Sequence, residues 1–321
     1  MADPLRYLCF TTLWLFGVIL TTNVLAQQTR FQKNDAADFI GLRYEWLDHQ
    51  EQTRELTFSL SKEITQNQYR NQTDYKPEIA QRYVYVELMR QVQQINPKEA
   101  RVKLVHRGER IEVSVTSRSR DMISKWQNLM AEKQESAFDQ YLDDNHYARF
   151  TNHAGQDGVL PDHIRYVRES RDIVLPVAQA IYDELQEGSN TRDYINLLLS
   201  WIQSIPYDTL ENRIGTSGSG FFSPVEVLVN NKGDCDSKAT LAAALMRALL
   251  PNLSMAIVYL PNHALLAVNL GYRNDEQWLD IRGAPHVLIE PTGPAKMTIG
   301  KTSDETARHL ANGSYTYVLV P

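Results

Sequence analysis

Cysteine is nearly absent from this 321-residue chain, which has only Cys9 and Cys235. That scarcity excludes a disulfide scaffold and a Cys-rich metal framework. His49, His106, His146, His153, His163, His286 and His309 are scattered, without H-E-x-x-H or other paired spacing, so no zinc site is expected. The acids show no EF-hand order. A net charge of -6 lacks the basic excess of a general nucleic-acid binder. Cofactor fingerprints are missing as well. TIGKTS ends like a phosphate loop, but Ala295 stands where that loop needs its first glycine. GTSGSG has no strand–turn–helix frame. No cofactor and no metal is therefore expected. Repeats and low-complexity tracts are absent too.

Long apolar runs are also scarce. One lies at the start, from Tyr7 to Leu20 behind Arg6, and it falls short of the roughly 20 residues of a spanning helix. Val24 and Ala26 follow at signal-peptidase spacing, so residues 1–26 read as a signal peptide and the chain as exported, periplasmic or secreted. Membrane contact is then expected only through that segment, if it stays uncleaved. With Cys9 removed, Cys235 is a lone thiol in an oxidising compartment, which asks for a reason.

Two domains are expected, at 27–155 and 156–321. The first reads as a smaller α/β module. RELTFSLS alternates like a half-buried strand, YKPEIAQRYVYVELMRQVQQI is helical, RVKLVHRGERIEVSVT is a hairpin around Gly108, and RDMISKWQNLMAEKQESAFDQYLDD is a long amphipathic helix. No chemical constellation lies there. The Gly-, Asn- and Asp-rich 151–163 reads as the boundary. Beyond it, a helical pattern from His163 should break or kink at Pro176, and a second ends at Pro206. A Gly-rich loop spans 213–224. Next come the Cys235 helix and short apolar runs at strand spacing, which is the order of an α+β domain with helices on an antiparallel sheet.

The chemistry concentrates in NNKGDCDSKATLAAALMRALLP, residues 230–251. Asp234 is a good N-cap, which puts Cys235 in the first helical turn. The free N–H groups and dipole there favour a thiolate and can receive an oxyanion. Asp234 and Asp236 oppose thiolate formation, so a cationic partner gains importance. His263, at the start of HALLAVNL, is the candidate base. A carboxylate should orient its imidazole, and Asp280 in QWLDIRG and Glu290 in HVLIEPTGP are the candidates.

Four ordered motifs carry a resemblance. SIPYD with Tyr207, KGDCDSKATLAAALMRALLPN with Cys235, NHALLAV with His263 and IEPTGP with Glu290 are similar to the transglutaminase-like superfamily, over residues of about 160–300. The resemblance implies a papain-like core and a Cys235–His263–Glu290 triad, with Asp280 the alternative acid. Two departures stand out: Leu265 where the family has an aromatic residue, and Glu290 where it has Asp. Tyr207 and Asn231 are candidate oxyanion donors. The implied activity is cleavage or transfer of amide or peptide bonds in a protein or peptide substrate, through a thioester. Two rivals are a non-catalytic binding module that keeps the fold, and an envelope-assembly partner that docks through its first domain.

Overall fold

The computed structural model describes residues 27–68, 72–108, 110–211 and 220–321. The leader reading and most of the Gly-rich loop lie outside the described residues. Among those described, no helix is long and apolar enough to cross a membrane.

The chain opens with an antiparallel meander, β1 (Gln27–Asp35), β2 (Phe39–Leu47) and β3 (Thr53–Ser61), in the order β1-β2-β3. Ile40, Leu42, Tyr44 and Trp46 of β2 and Leu56, Phe58 and Leu60 of β3 are buried, the period of two expected for a sheet with one dry face. That face does not close a core of its own. It packs against helices of the second half of the chain, and Tyr44 meets Trp201 edge-on at 5.2 Å between ring centroids.

A short helix α1 (Lys62–Gln68) leads to α2 (Pro77–Gln93), the hairpin β4 (Arg101–Arg107) and β5 (Arg110–Thr116), and α3 (Arg120–Asp144). α2, the hairpin and α3 agree with the sequence pattern. Val84, Leu88, Ile111, Trp126 and Met130 close a separate small core between them.

The boundary expected between 155 and 156 is corrected. It falls inside a hairpin, β6 (Tyr147–Thr151) with β7 (Asp157–Pro161). Asn152 Oδ1 accepts from the N–H groups of Ala154 and Gln156, so the Gly/Asn/Asp cluster makes a tight turn rather than a linker. The division of cores lies elsewhere: residues 27–61 belong with the second half of the chain.

In that half, α4 (His163–Asp183) runs through Pro176 as one helix, so of the expected break or kink the break does not occur. Val174, Val177, Ala178 and Ile181 are buried around the proline, and this packing holds the helix together. α5 (Thr191–Ser204) starts at a capping box of Asn190 and Asp193, and α6 (Pro224–Asn230) at one of Ser223 and Glu226. α7 (Cys235–Leu249) is buried from Leu241 to Met246 on every side, as an all-apolar central helix must be.

Behind α7 stands a five-stranded antiparallel sheet of β8 (Met255–Leu260), β9 (His263–Val268), β10 (Trp278–Ile281), β11 (Ala284–Ile289) and β12 (Thr316–Val320), ordered β10-β11-β9-β8-β12. Helix α8 (Asp304–Ala311) precedes β12. One sheet face joins the main core, while Ala256, Val258, Leu265 and Leu288 on the other face pack with Leu310 of α8 and Tyr317 and Leu319 of β12. The fold is α+β with antiparallel sheets.

Candidate active site

Asp234 Oδ1 accepts from the N–H of Ser237 at 2.9 Å and caps α7, which makes Cys235 its first residue. Gly233, just before, hydrogen-bonds Pro206 and Asp208 through its backbone and forms a parallel bridge with Tyr207. A Cβ on Gly233 would sit 3.2 Å from Val227 and 3.3 Å from Ser237. The glycine thus lets α6 lie close against the start of the cysteine helix.

The sheet supplies the other two residues. His263 opens β9 and Glu290 follows β11, its antiparallel neighbour, in the register Ile289↔Leu266. Continued by one residue, this register sets Glu290 opposite Leu265, diagonal to His263 and on the same face. Diagonal neighbours are reached by long side chains, and Glu290 Oε2 meets His263 Nε2 at 2.6 Å. Its other oxygen accepts from the N–H of Thr292 at 2.9 Å. Burial lowers the His263 pKa, but the Glu290 hydrogen bond and charge, with Asp236 and Glu305, outweigh it, and the net shift is upward.

Asp280 makes no hydrogen bond with His263 among the described residues. It is exposed, and its Oδ1 accepts from the N–H of Gly283 across the β10–β11 turn. Asn231 is not at the site either. It ends α6 in the left-handed conformation and exchanges two side-chain hydrogen bonds, of 2.9 and 2.7 Å, with Gln28 of β1. Tyr207, by contrast, lines the same cleft of about 490 Å³ as Cys235 and His263. The apolar wall of that cleft is Phe150 and Leu160, from the β6–β7 hairpin, with Tyr259.

The thiol itself departs from expectation. Burial pushes the Cys235 pKa up, and the Asp236 and Asp234 charges push it further; only the backbone N–H of Ala264 opposes them. Sγ donates to Asp236 Oδ1 at 3.4 Å and makes no hydrogen bond with His263 among the described residues. Desolvation and two flanking carboxylates outweigh the helix terminus.

Several residues near the site were missed. Lys238, one turn beyond Cys235, is fully buried and donates to the carbonyl of Ile205. Burial pushes its pKa down to about 8, against the charges of Glu290, Asp234 and Cys235. A lysine inside an otherwise apolar helix was the available signal. Gln203, also buried, donates to the carbonyls of Glu290 and Met297 at 2.7 and 2.8 Å and accepts from the N–H of Met297. His49, in the β2–β3 turn, lies 3.0 Å from Gln203 Oε1, and Lys296 reaches back to Asp48 and Glu51 of that turn. The loop after Glu290 is thereby pinned from α5 and from the first sheet. At Gly293 it passes so close to the Gln203 carbonyl that a Cβ would overlap it, at 2.0 Å.

Asp234, Cys235 and Asp236 offer three donor atoms within 4.8 Å of one another. Asp234 is taken up by its cap and Asp236 by the thiol, so the trio forms the thiol's own surroundings. Comparison with protein-family models, with curated proteins and with solved structures finds no match to this chain.

Proposed function

We propose that the chain is an exported cysteine enzyme of transglutaminase-like type, with a papain-like core, that cleaves or transfers amide or peptide bonds. The observation that carries this reading is the 2.6 Å contact between Glu290 and Nε2 of His263, beside a cleft that Cys235 also lines. With Nε2–H committed to Glu290, Nδ1 is the nitrogen left to take the thiol proton. Sγ then attacks the substrate carbonyl, and the N–H groups at the start of α7 receive the oxyanion. Tyr207, at the cleft wall, is placed to add a hydroxyl donor. His263 returns the proton to the leaving amine, and water or a second amine resolves the thioester. Peptidase or amidase action on a protein or peptide is the favoured form.

One observation favours the non-catalytic rival: the thiol rests on Asp236, with its pKa raised. A single experiment on the full chain separates the two readings, with p-nitrophenyl acetate as acyl donor. The expected result is a burst of one equivalent of p-nitrophenolate, with the acetyl group on Cys235 by mass spectrometry. Cys235→Ala should abolish the burst, and Glu290→Gln should slow acylation by about 10²- to 10⁴-fold. Asp280→Asn should stay near the parent rate. No acylation of the parent, or a normal rate in Glu290→Gln, would remove the enzyme reading.

A further inference from the structure

The mechanism above leaves one buried chain of polar groups unused. His163, the first residue of α4, is buried, with its ring stacked on Tyr259 at 5.7 Å and tilted against Phe221 at 4.8 Å. Its Nδ1 lies 2.8 Å from the Tyr259 hydroxyl. Its Nε2 is buried and has no hydrogen-bond partner among the described residues. That nitrogen stands 3.9 Å from Asp236 Oδ2, and the other oxygen of Asp236 accepts from the Cys235 thiol.

The tautomer follows from these contacts. A neutral imidazole carries one N–H. If Tyr259 donates to Nδ1, the proton sits on Nε2 and faces the carboxylate. The reverse arrangement would set a bare lone pair against a carboxylate inside the protein. Donor and acceptor thus face each other just beyond bonding distance, and a buried N–H left unpaired costs its full desolvation. The Asp236 side chain keeps 26% of its exposure, which gives it room to turn about χ1. Asp234 lies close enough to repel the Asp236 carboxylate, Asp162 adds a second negative charge beside His163, and His263 feels the Asp236 charge, so the position of a donor decides where the carboxylate rests.

We propose that Asp236 is a two-position carboxylate and that His163 is the positioning residue that draws it off the thiol. On Cys235, the carboxylate holds the S–H proton and the nucleophile is silent. On His163 Nε2–H, it leaves Sγ free: the S–H bond breaks, the proton forms a bond to Nδ1 of His263, and a thiolate–imidazolium pair results. The proposal rests on reading Cys235 as the nucleophile.

The test is a double-mutant cycle on the full chain, read as the rate of Cys235 alkylation by iodoacetamide, an uncharged reagent, at pH 7.5. His163→Phe keeps the ring but removes the donor, and should slow alkylation about tenfold, the equivalent of one unit in thiol pKa. His163→Gln places an amide N–H near the same point and should restore most of the rate. Asp236→Ala should alkylate faster than the parent, and in that background His163→Phe should change nothing. Equal slowing in both backgrounds would mean that the ring acts by packing, and no slowing in either would mean that it does not draw Asp236; each result overturns the proposal. If His163→Phe fails to fold, Tyr259→Phe replaces it, because without the hydroxyl the tautomer is no longer fixed. It should slow the parent and leave Asp236→Ala unchanged, and any other pattern overturns the proposal. The expected cycle together with normal acylation in Glu290→Gln would uphold the two-position carboxylate while removing the enzyme reading.

Discussion

Residues 27–61 and residues 77–144 look alike in sequence, each mixing apolar alternation with polar turns, yet they stand in different relations to Cys235. The first sheet gives its whole dry face to the core that holds α5 and α7, and its β2–β3 turn reaches Gln203 and Lys296 behind the Glu290 loop. The α2–β4–β5–α3 unit closes its own core. It touches the cleft through the β6–β7 hairpin, because Tyr141 and Leu142 pack with Tyr147. Nearness in sequence therefore does not decide which segment supports the surroundings of Cys235. A sheet with one face dry and no helix of its own must borrow a partner, whereas a helix pair over a hairpin closes by itself.

The strongest way to break this comparison is a cavity in each core. Trp46→Ala, in the shared core, should cost about 3–5 kcal/mol and lower the melting temperature of the whole half that holds Cys235. Met130→Ala, in the separate core, should cost about 2–5 kcal/mol, but hydrogen exchange should show the loss confined to residues 77–144. Global loss in both variants would mean that the two cores unfold as one.

A smaller effect, and a pH-dependent one, comes from Glu226 in α6. This carboxyl is fully buried, and burial pushes its pKa up to about 7 from 4.5, against hydrogen bonds from Ser223. Between these two values the unfolded chain releases a proton that the folded chain keeps. The stability Glu226 allows is thus complete below pH 4.5, falls as pH rises, and is lost above 7. Glu226→Gln keeps an acceptor for the Ser223 N–H. Its stability relative to the parent should rise by roughly 2–3 kcal/mol between pH 4 and pH 8, measured by denaturant titration. Because α6 is tied to the first sheet, where Tyr44 bonds the Leu228 carbonyl, the gain should appear in the shared core and not in 77–144.

Gln203→Leu should act locally. It leaves the Glu290 and Met297 carbonyls without their donor, at about 1–3 kcal/mol. The Glu290 contact raises the His263 pKa, so loosening it should lower that value, as read by NMR titration of the imidazole. The smallest effect should be His49→Ala, which removes the bond from His49 to Gln203. A His263 titration that moves in Gln203→Leu but not in His49→Ala would place the support in α5 alone.

The elements carrying the cleft were legible because each has a local cause. Asp234 caps a helix in any setting, and the apolar runs of β8, β9 and β11 have no other stable fate. The contact of Glu290, rather than Asp280, with His263 was legible from the acid-Pro-Thr motif. What could not be read was long-range. Asn231 was suggested by proximity in sequence, but its left-handed backbone turns its amide to Gln28, some 200 positions away. His163 sat among histidines dismissed as scattered, since only the packing of α4 on α7 brings it to Asp236. The thiol's environment turned on burial, which sequence spacing does not report.

The register between β9 and β11 sets a condition on how this site can change. Strand pairing moves only in whole residues, and a slip of one turns every side chain to the opposite face. His263 and Glu290 are therefore held by a discrete setting, with no graded series of neighbouring geometries between contact and none. Small shifts in temperature or solvent should leave their contact intact until the sheet melts, so loss of the pair should be as abrupt as unfolding. Adjustable parts must then lie off the sheet, in groups such as Asp236 that one bond rotation can move.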